Sequence, residues 1–123
     1  MSYRDLEVYK RSFRLALEIH RFSLSLPKVL QFDLADQIRR ASRSIPSNIA
    51  EGYSRNKSVK DKINFLNDSL GSNDEILFNL DFMYGVDLIN EKQYLNWKDE
   101  FTICGKQLYQ LIKSLNQKPV TSY

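Results

Sequence analysis

The chain has 123 residues, 42% of them hydrophobic, and a net charge of +3, which suits a single domain around one core. One cysteine excludes an internal disulfide framework, and no apolar run approaches the length of a membrane span. The first residues are charged at once (Arg4, Asp5, Glu7) and show no signal peptide, so the expected location is cytoplasmic.

Only four glycines and three prolines interrupt the chain, so the segments are long and helical. The first helix is expected from Asp5, acting as its cap, to just before Pro27. Its Leu6, Tyr9, Phe13, Ala16, Leu17, His20 and Leu24 share one face. Val8, Leu15, Ile19, Phe22 and Leu26 share another, with only Ser12 and Ser23 between the two on one side. That is about twice the apolar stripe of a surface helix. The surplus predicts self-association, with Val8, Leu15, Ile19 and Phe22 as the candidate oligomer interface.

A second helix is expected from near Asp33 to Gly52 or Ser54, with Leu34, Ile38, Ala41, Ile45 and Ile49 as its inner stripe. Pro46 falls inside this pattern. The apolar period crosses it without a phase shift, which predicts one helix kinked at Pro46. Tyr53 to Lys57 reads as a loop. Ser58 and Asp61 then form a capping box for the third helix. Its main stripe is expected to be Val59, Ile63, Leu66, Leu70, Leu77 and Tyr84. Gly71 within it suggests close helix packing, and Gly85 a C-terminal cap. Phe78 and Phe82 lie off the stripe and join the candidate oligomer surface. Asn90 caps the fourth helix, whose stripe runs Tyr94, Trp97, Phe101, Cys104, Leu108, Leu111, Ile112 and Leu115. The predicted fold is therefore all-α: one domain over residues 1–123, an antiparallel up-down four-helix bundle with a flexible tail from about 117 to 123.

Charge is polarised along the chain. Residues 37–62 carry seven Lys or Arg against two acids, while residues 63–100 carry two lysines against eight acids. A basic segment of this kind can hold phosphate. It equally fits solvated helix faces that complement one another, and charge alone favours that second reading, because +3 is low for a dedicated nucleic-acid binder. Within the segment, Asp36 and Arg40 are four apart in the favourable order. Arg40 with Asp36, Ser47, Asn48 and Glu51 makes a candidate structural polar seam. Arg39 and Arg43 have no acid within helical reach. With Arg55, Lys57 and Lys60 they are the candidate nucleic-acid-binding residues, since arginine grips phosphate through a two-pronged hydrogen bond.

Signs of catalysis are lacking. His20 sits on an apolar face and is expected to be a packed core histidine; Glu18 precedes it by two residues, the wrong spacing for a di-iron pair. Cys104 reads as a small hydrophobe. The acids Asp74, Glu75, Asp81 and Asp87 read as a solvated face. No enzyme activity, metal or cofactor is expected.

Several stretches carry a resemblance. Tyr3-Arg4-Asp5-Leu6-Glu7-Val8-Tyr9 resembles the opening of the bundle proteins encoded in bacterial 23S rRNA intervening sequences. Gln37-Ile38-Arg39-Arg40-Ala41 and Ser44-Ile45-Pro46-Ser47-Asn48-Ile49-Ala50-Glu51-Gly52 resemble that family's central signature. Leu70-Gly71-Ser72 with Glu75, and Leu111 to Leu115, resemble its later landmarks; Asn73 stands where the family usually has a large apolar residue. The resemblance implies a bacterial homopentamer without known enzymatic activity, similar to the accessory variability proteins of retroelements, which engage nucleic acid and a reverse transcriptase. The expected function is thus a non-enzymatic oligomeric bundle binding RNA or a ribonucleoprotein partner. The alternative is a protein-interaction scaffold that binds no nucleic acid.

Overall fold

Four helices carry the chain: α1 (Glu7–Leu24), α2 (Leu34–Gly52), α3 (Val59–Gly85) and α4 (Glu91–Asn116). The structure, a computed structural model, describes residues 2–117. The expected tail lies almost wholly outside the described residues.

The ends of the helices follow local hydrogen-bond chemistry. Asp5 does not cap α1. Ser2 captures the Arg4 amide at 3.2 Å, which winds Tyr3–Asp5 into a separate 3-10 turn and leaves Leu6 extended ahead of Glu7. α2 runs unbroken through Pro46. The expected capping box at Ser58/Asp61 is formed, and Gln93 completes the Asn90 cap of α4 into a second box. Gly85 is the last residue of α3 and does not take the left-handed turn. Asp87 does, at φ 62°. Its amide donates to Tyr84 O at 3.1 Å and the Leu88 amide to Met83 O at 2.8 Å, the paired bonds of a Schellman ending.

Consecutive helices pack as antiparallel neighbours, and α1 closes the bundle against α4. Fully buried Leu15, Ile19, Ile38, Ile45, Ile49, Leu66, Ile76, Leu80, Met83, Phe101 and Leu108 fill the centre. The α1–α4 seam is ionic. Glu100 accepts from Arg11 Nη1 at 2.6 Å and from Arg14 Nη2; Arg14 also reaches Glu18 at 2.7 Å. Trp97 Nε1 donates to Glu18 at 3.2 Å.

This packing reverses the expected orientation of α1. Val8, Leu15 and Ile19 lie in the core of the single chain and cannot form an oligomer interface. Phe22 is half-buried, edge-on to Trp97 with 5.1 Å between centroids. The two buried serines explain the choice of face. Ser12 and Ser23 satisfy their hydroxyls on the carbonyls of Tyr9 (3.2 Å) and His20 (2.6 Å), so they can face inward and admit the neighbouring helices closely. Phe13, Leu17 and His20 therefore point outward, and the expected core histidine is on the surface.

A similar shift occurs on α3. Its inward line is Leu66, Ser69, Asn73, Ile76, Leu80 and Met83, while Val59 and Tyr84 are exposed. Ser69 Oγ donates to Ile45 O at 2.9 Å across to α2, and Asn73 Nδ2 to Phe101 O at 2.9 Å across to α4. The expected close packing at Gly71 is absent: it faces open space. Gly52 and Gly105 are the close approaches, where a Cβ would come 3.0 Å from Phe65 Cβ and 3.1 Å from Asn73 Nδ2.

Candidate nucleic-acid interface

The five candidate cations do not act as one set. Arg39 is already bound inside the chain. Its Nη1 donates to Ser23 Oγ (2.9 Å) and Gln31 Oε1 (3.1 Å), and its Nη2 to Gln31 O (2.9 Å). Gln31 Nε2 in turn donates to the carbonyls of Ser23 (2.8 Å) and Leu26 (3.0 Å), closing the free C-terminal end of α1. Arg39 is therefore a structural clamp between α2 and the connector, which corrects its expected role as a free cation. Neutral amide and carbonyl oxygens satisfy it, which a search for acids at helical spacing overlooks. Lys57 is also engaged, 3.4 Å from Glu51 and 4.9 Å from the Phe65 ring centroid. Arg43, Arg55 and Lys60 are exposed and make no ion pair among the described residues.

The expected polar seam comes apart as well. Asp36 and Arg40 pair at 3.8 Å on the open surface, a contact worth well under 1 kcal/mol. Ser47 is exposed, and Glu51 turns to Lys57 rather than Arg40. The seam that forms joins α2 to α3: Asn48 Nδ2 donates to Ser44 O (3.0 Å) and Ser44 Oγ (2.9 Å), and Ser72 Oγ to Ser44 Oγ (2.8 Å).

The outward face of α1 and the adjoining edge of α2 make a groove. Tyr9, Phe13, Ala16, Leu17 and His20 line one side, and Arg39, Arg43, Pro46, Ser47 and Ala50 the other, around about 270 Å³, with both terminal nitrogens of Arg39 held by Ser23 and Gln31. Ala50 also borders a second cleft of about 330 Å³ at the end of the bundle, lined by Ser2, Tyr3, Arg4, Tyr53, Ser54 and Arg55. The two clefts share a wall, because Tyr3 stacks on Tyr9 with centroids 4.9 Å apart and planes 11° apart. Among the described residues no carboxylate lines either cleft. Lys62 Nζ sits 5.2 Å from the Tyr53 ring centroid, and burial raises the Tyr53 pKa, so its phenol stays a neutral hydrogen-bonding group at neutral pH. The sequence reading missed Tyr3, Arg4, Tyr9, Phe13, His20 and Tyr53 as site residues. The available signal was the aromatic spacing 3, 9, 13 beside Arg4, ahead of the basic segment.

Other chemistry is sparse. Burial pushes the Cys104 thiol up to about 12, so at neutral pH it is a protonated core side chain. Among the described residues no group of three or more His, Cys, Asp and Glu could hold a metal ion. No described helix is long and apolar enough to cross a membrane.

The fold and groove define an all-α, antiparallel four-helix-bundle protein with a basic, aromatic-lined edge. Residues 4–110 match the family model described as 23S rRNA-intervening sequence protein, and the chain belongs to that family. A crystal structure of a protein of unknown function from the S23 ribosomal protein family of Bacteroides thetaiotaomicron VPI-5482 is similar. It is 29% identical, with a TM-score of 0.76, over 86% of this chain and 95% of that one. No curated protein matches this chain.

Proposed function

We propose that this chain is a non-enzymatic, cytoplasmic, homo-oligomeric bundle that binds RNA or a ribonucleoprotein partner along the α1–α2 edge. The observation that supports it is the acid-free groove. Arg43, Arg4 and Arg55 lie along it without an ion pair among the described residues, beside a row of aromatic side chains. Cations over an aromatic surface suit a phosphate backbone whose bases can stack. Assembly of copies, five by family resemblance, would repeat this edge and raise the local density of phosphate-binding groups.

The test is RNA binding by fluorescence anisotropy across a salt series. Affinity is expected to fall steeply with salt, and Arg43→Ala and Arg55→Ala each to reduce the salt slope by about 1. Absence of binding at low salt would overturn the proposal.

A scaffold without nucleic acid is the second reading. It is favoured by two separate exposed apolar pairs, Phe13 (46%) and Leu17 (42%) on α1 and Phe78 (67%) and Phe82 (50%) on α3, each a surface that another copy or a partner could cover. Light scattering on a sizing column separates the possibilities. A monomer refutes self-association, and an oligomer that dissociates on Arg43→Ala favours the scaffold.

A further inference from the structure

We propose that Arg4 is the outer rung of a stacking platform that takes one unpaired base of a single-stranded RNA, with Arg55 holding the adjoining phosphate. This deepens the RNA-binding reading above and rests on it.

The platform is a ladder of rings. Phe13 and Tyr9 have centroids 5.8 Å apart with planes 31° apart, and Tyr9 stacks on Tyr3 at 4.9 Å and 11°. The Arg4 guanidinium carbon lies 4.7 Å from the Tyr3 centroid. Tyr3 is thus in contact with both Tyr9 and the Arg4 guanidinium, and Arg4 is the polar end of the ladder. Arg4 is exposed, has no ion pair among the described residues, and lines the bundle-end cleft of about 330 Å³ together with Arg55. An exposed guanidinium plane backed by an aromatic ring is a surface on which a base stacks, and arginine serves that role in RNA recognition.

The same geometry sets the class of ligand. Arg4 and Arg55 share a cleft and, among the described residues, make no ion pair and meet no carboxylate in its lining, so an anion there relieves their mutual repulsion. The flat surface beside them calls for an aromatic group linked to that anion. An unpaired nucleotide supplies both. In a duplex each internal base is already stacked on its neighbours, so a single strand offers far more free base faces.

The experiment uses the full chain with a short single-stranded RNA that carries 2-aminopurine, and the same sequence annealed into a duplex. Binding to the single strand is expected to quench the 2-aminopurine emission and to be tighter than binding to the duplex. Arg4→Lys keeps the charge but removes the plane; it is expected to weaken binding about tenfold and abolish the quench while leaving the salt slope unchanged. Tyr3→Leu is expected to act in the same way, and Arg55→Ala to reduce the slope by about 1. RNA binding and quenching that survive Arg4→Lys, or equal affinity for duplex, would overturn the platform while leaving general RNA binding intact. Loss of the oligomer in Arg4→Lys would overturn it in favour of a contact between copies. No binding of either RNA would overturn both proposals together.

Discussion

Arg39 is tied to Gln31 through both of its terminal nitrogens, to the side-chain oxygen at 3.1 Å and to the carbonyl oxygen at 2.9 Å. The pair links the middle of α2 to the connector after α1, and Gln31 passes the link on to the last carbonyls of α1. Removing the guanidinium leaves Gln31 Oε1 and Ser23 Oγ short of a donor. Arg39→Ala is expected to cost about 2 kcal/mol in urea melts. Arg39→Lys should restore only part of this, since lysine lacks the fork that spans two acceptors. In the RNA titration Arg39→Ala should reduce the salt slope less than Arg43→Ala, because the Arg39 nitrogens are held by Ser23 and Gln31.

Glu100 holds two arginines of α1, and its side chain is 18% exposed. Its loss strands Arg11, whose Nε already has no partner among the described residues. Glu100→Ala is expected to destabilise the fold by about 1–3 kcal/mol. The α1–α4 seam should open first, seen as faster amide exchange in α1 relative to α2.

Cys104 makes alkaline stability a probe of the core. In the unfolded chain its thiol ionises near 9.0, and in the folded chain near about 12. Between these values the unfolded state has released a proton that the native state keeps, so stability falls as pH rises. Below pH 9 the contribution is constant. Cys104→Ala should flatten this alkaline limb in denaturant melts run at several pH values. In the native protein at neutral pH, thiol reagents should label Cys104 only as fast as the fold opens.

Asn73 is 1% exposed, and its Oδ1 has no hydrogen-bond partner among the described residues. Its Nδ2 bond to Phe101 O is the compensation. Asn73→Leu removes the orphaned acceptor and is expected to raise stability by about 1 kcal/mol, read as a higher midpoint in urea. Gly105→Ala should destabilise, because its Cβ would lie 3.1 Å from Asn73 Nδ2. Combining the two substitutions should give a non-additive result, since the sites touch.

Asp87 occupies the left-handed position that closes α3, at φ 62°. Asp87→Gly relieves that strain and is expected to add about 1 kcal/mol, while a β-branched residue there should cost more than Asp87→Ala. Thermal melts of the three variants give the order directly.

The all-α class, the helix order and most helix ends were determined by the sequence alone. Capping pairs such as Ser58 with Asp61 and Asn90 with Gln93 act over three residues, so their chemistry is local and visible in the chain. The α4 stripe from Trp97 to Leu108 was equally plain, because its apolar residues fall on one face. The orientation of α1 was not, because both of its faces are apolar and the deciding residues, Ser12 and Ser23, are polar ones that satisfy themselves on their own helix. Serines and Asn73 hid the inward line of α3 in the same way. Only the tertiary structure could separate Arg39 from Arg43. Their residue types are identical and their helical neighbours alike, but the connector folds Gln31 against one and leaves the other in water. The ladder from Phe13 to Arg4 likewise exists only once the opening turn lays Tyr3 on Tyr9.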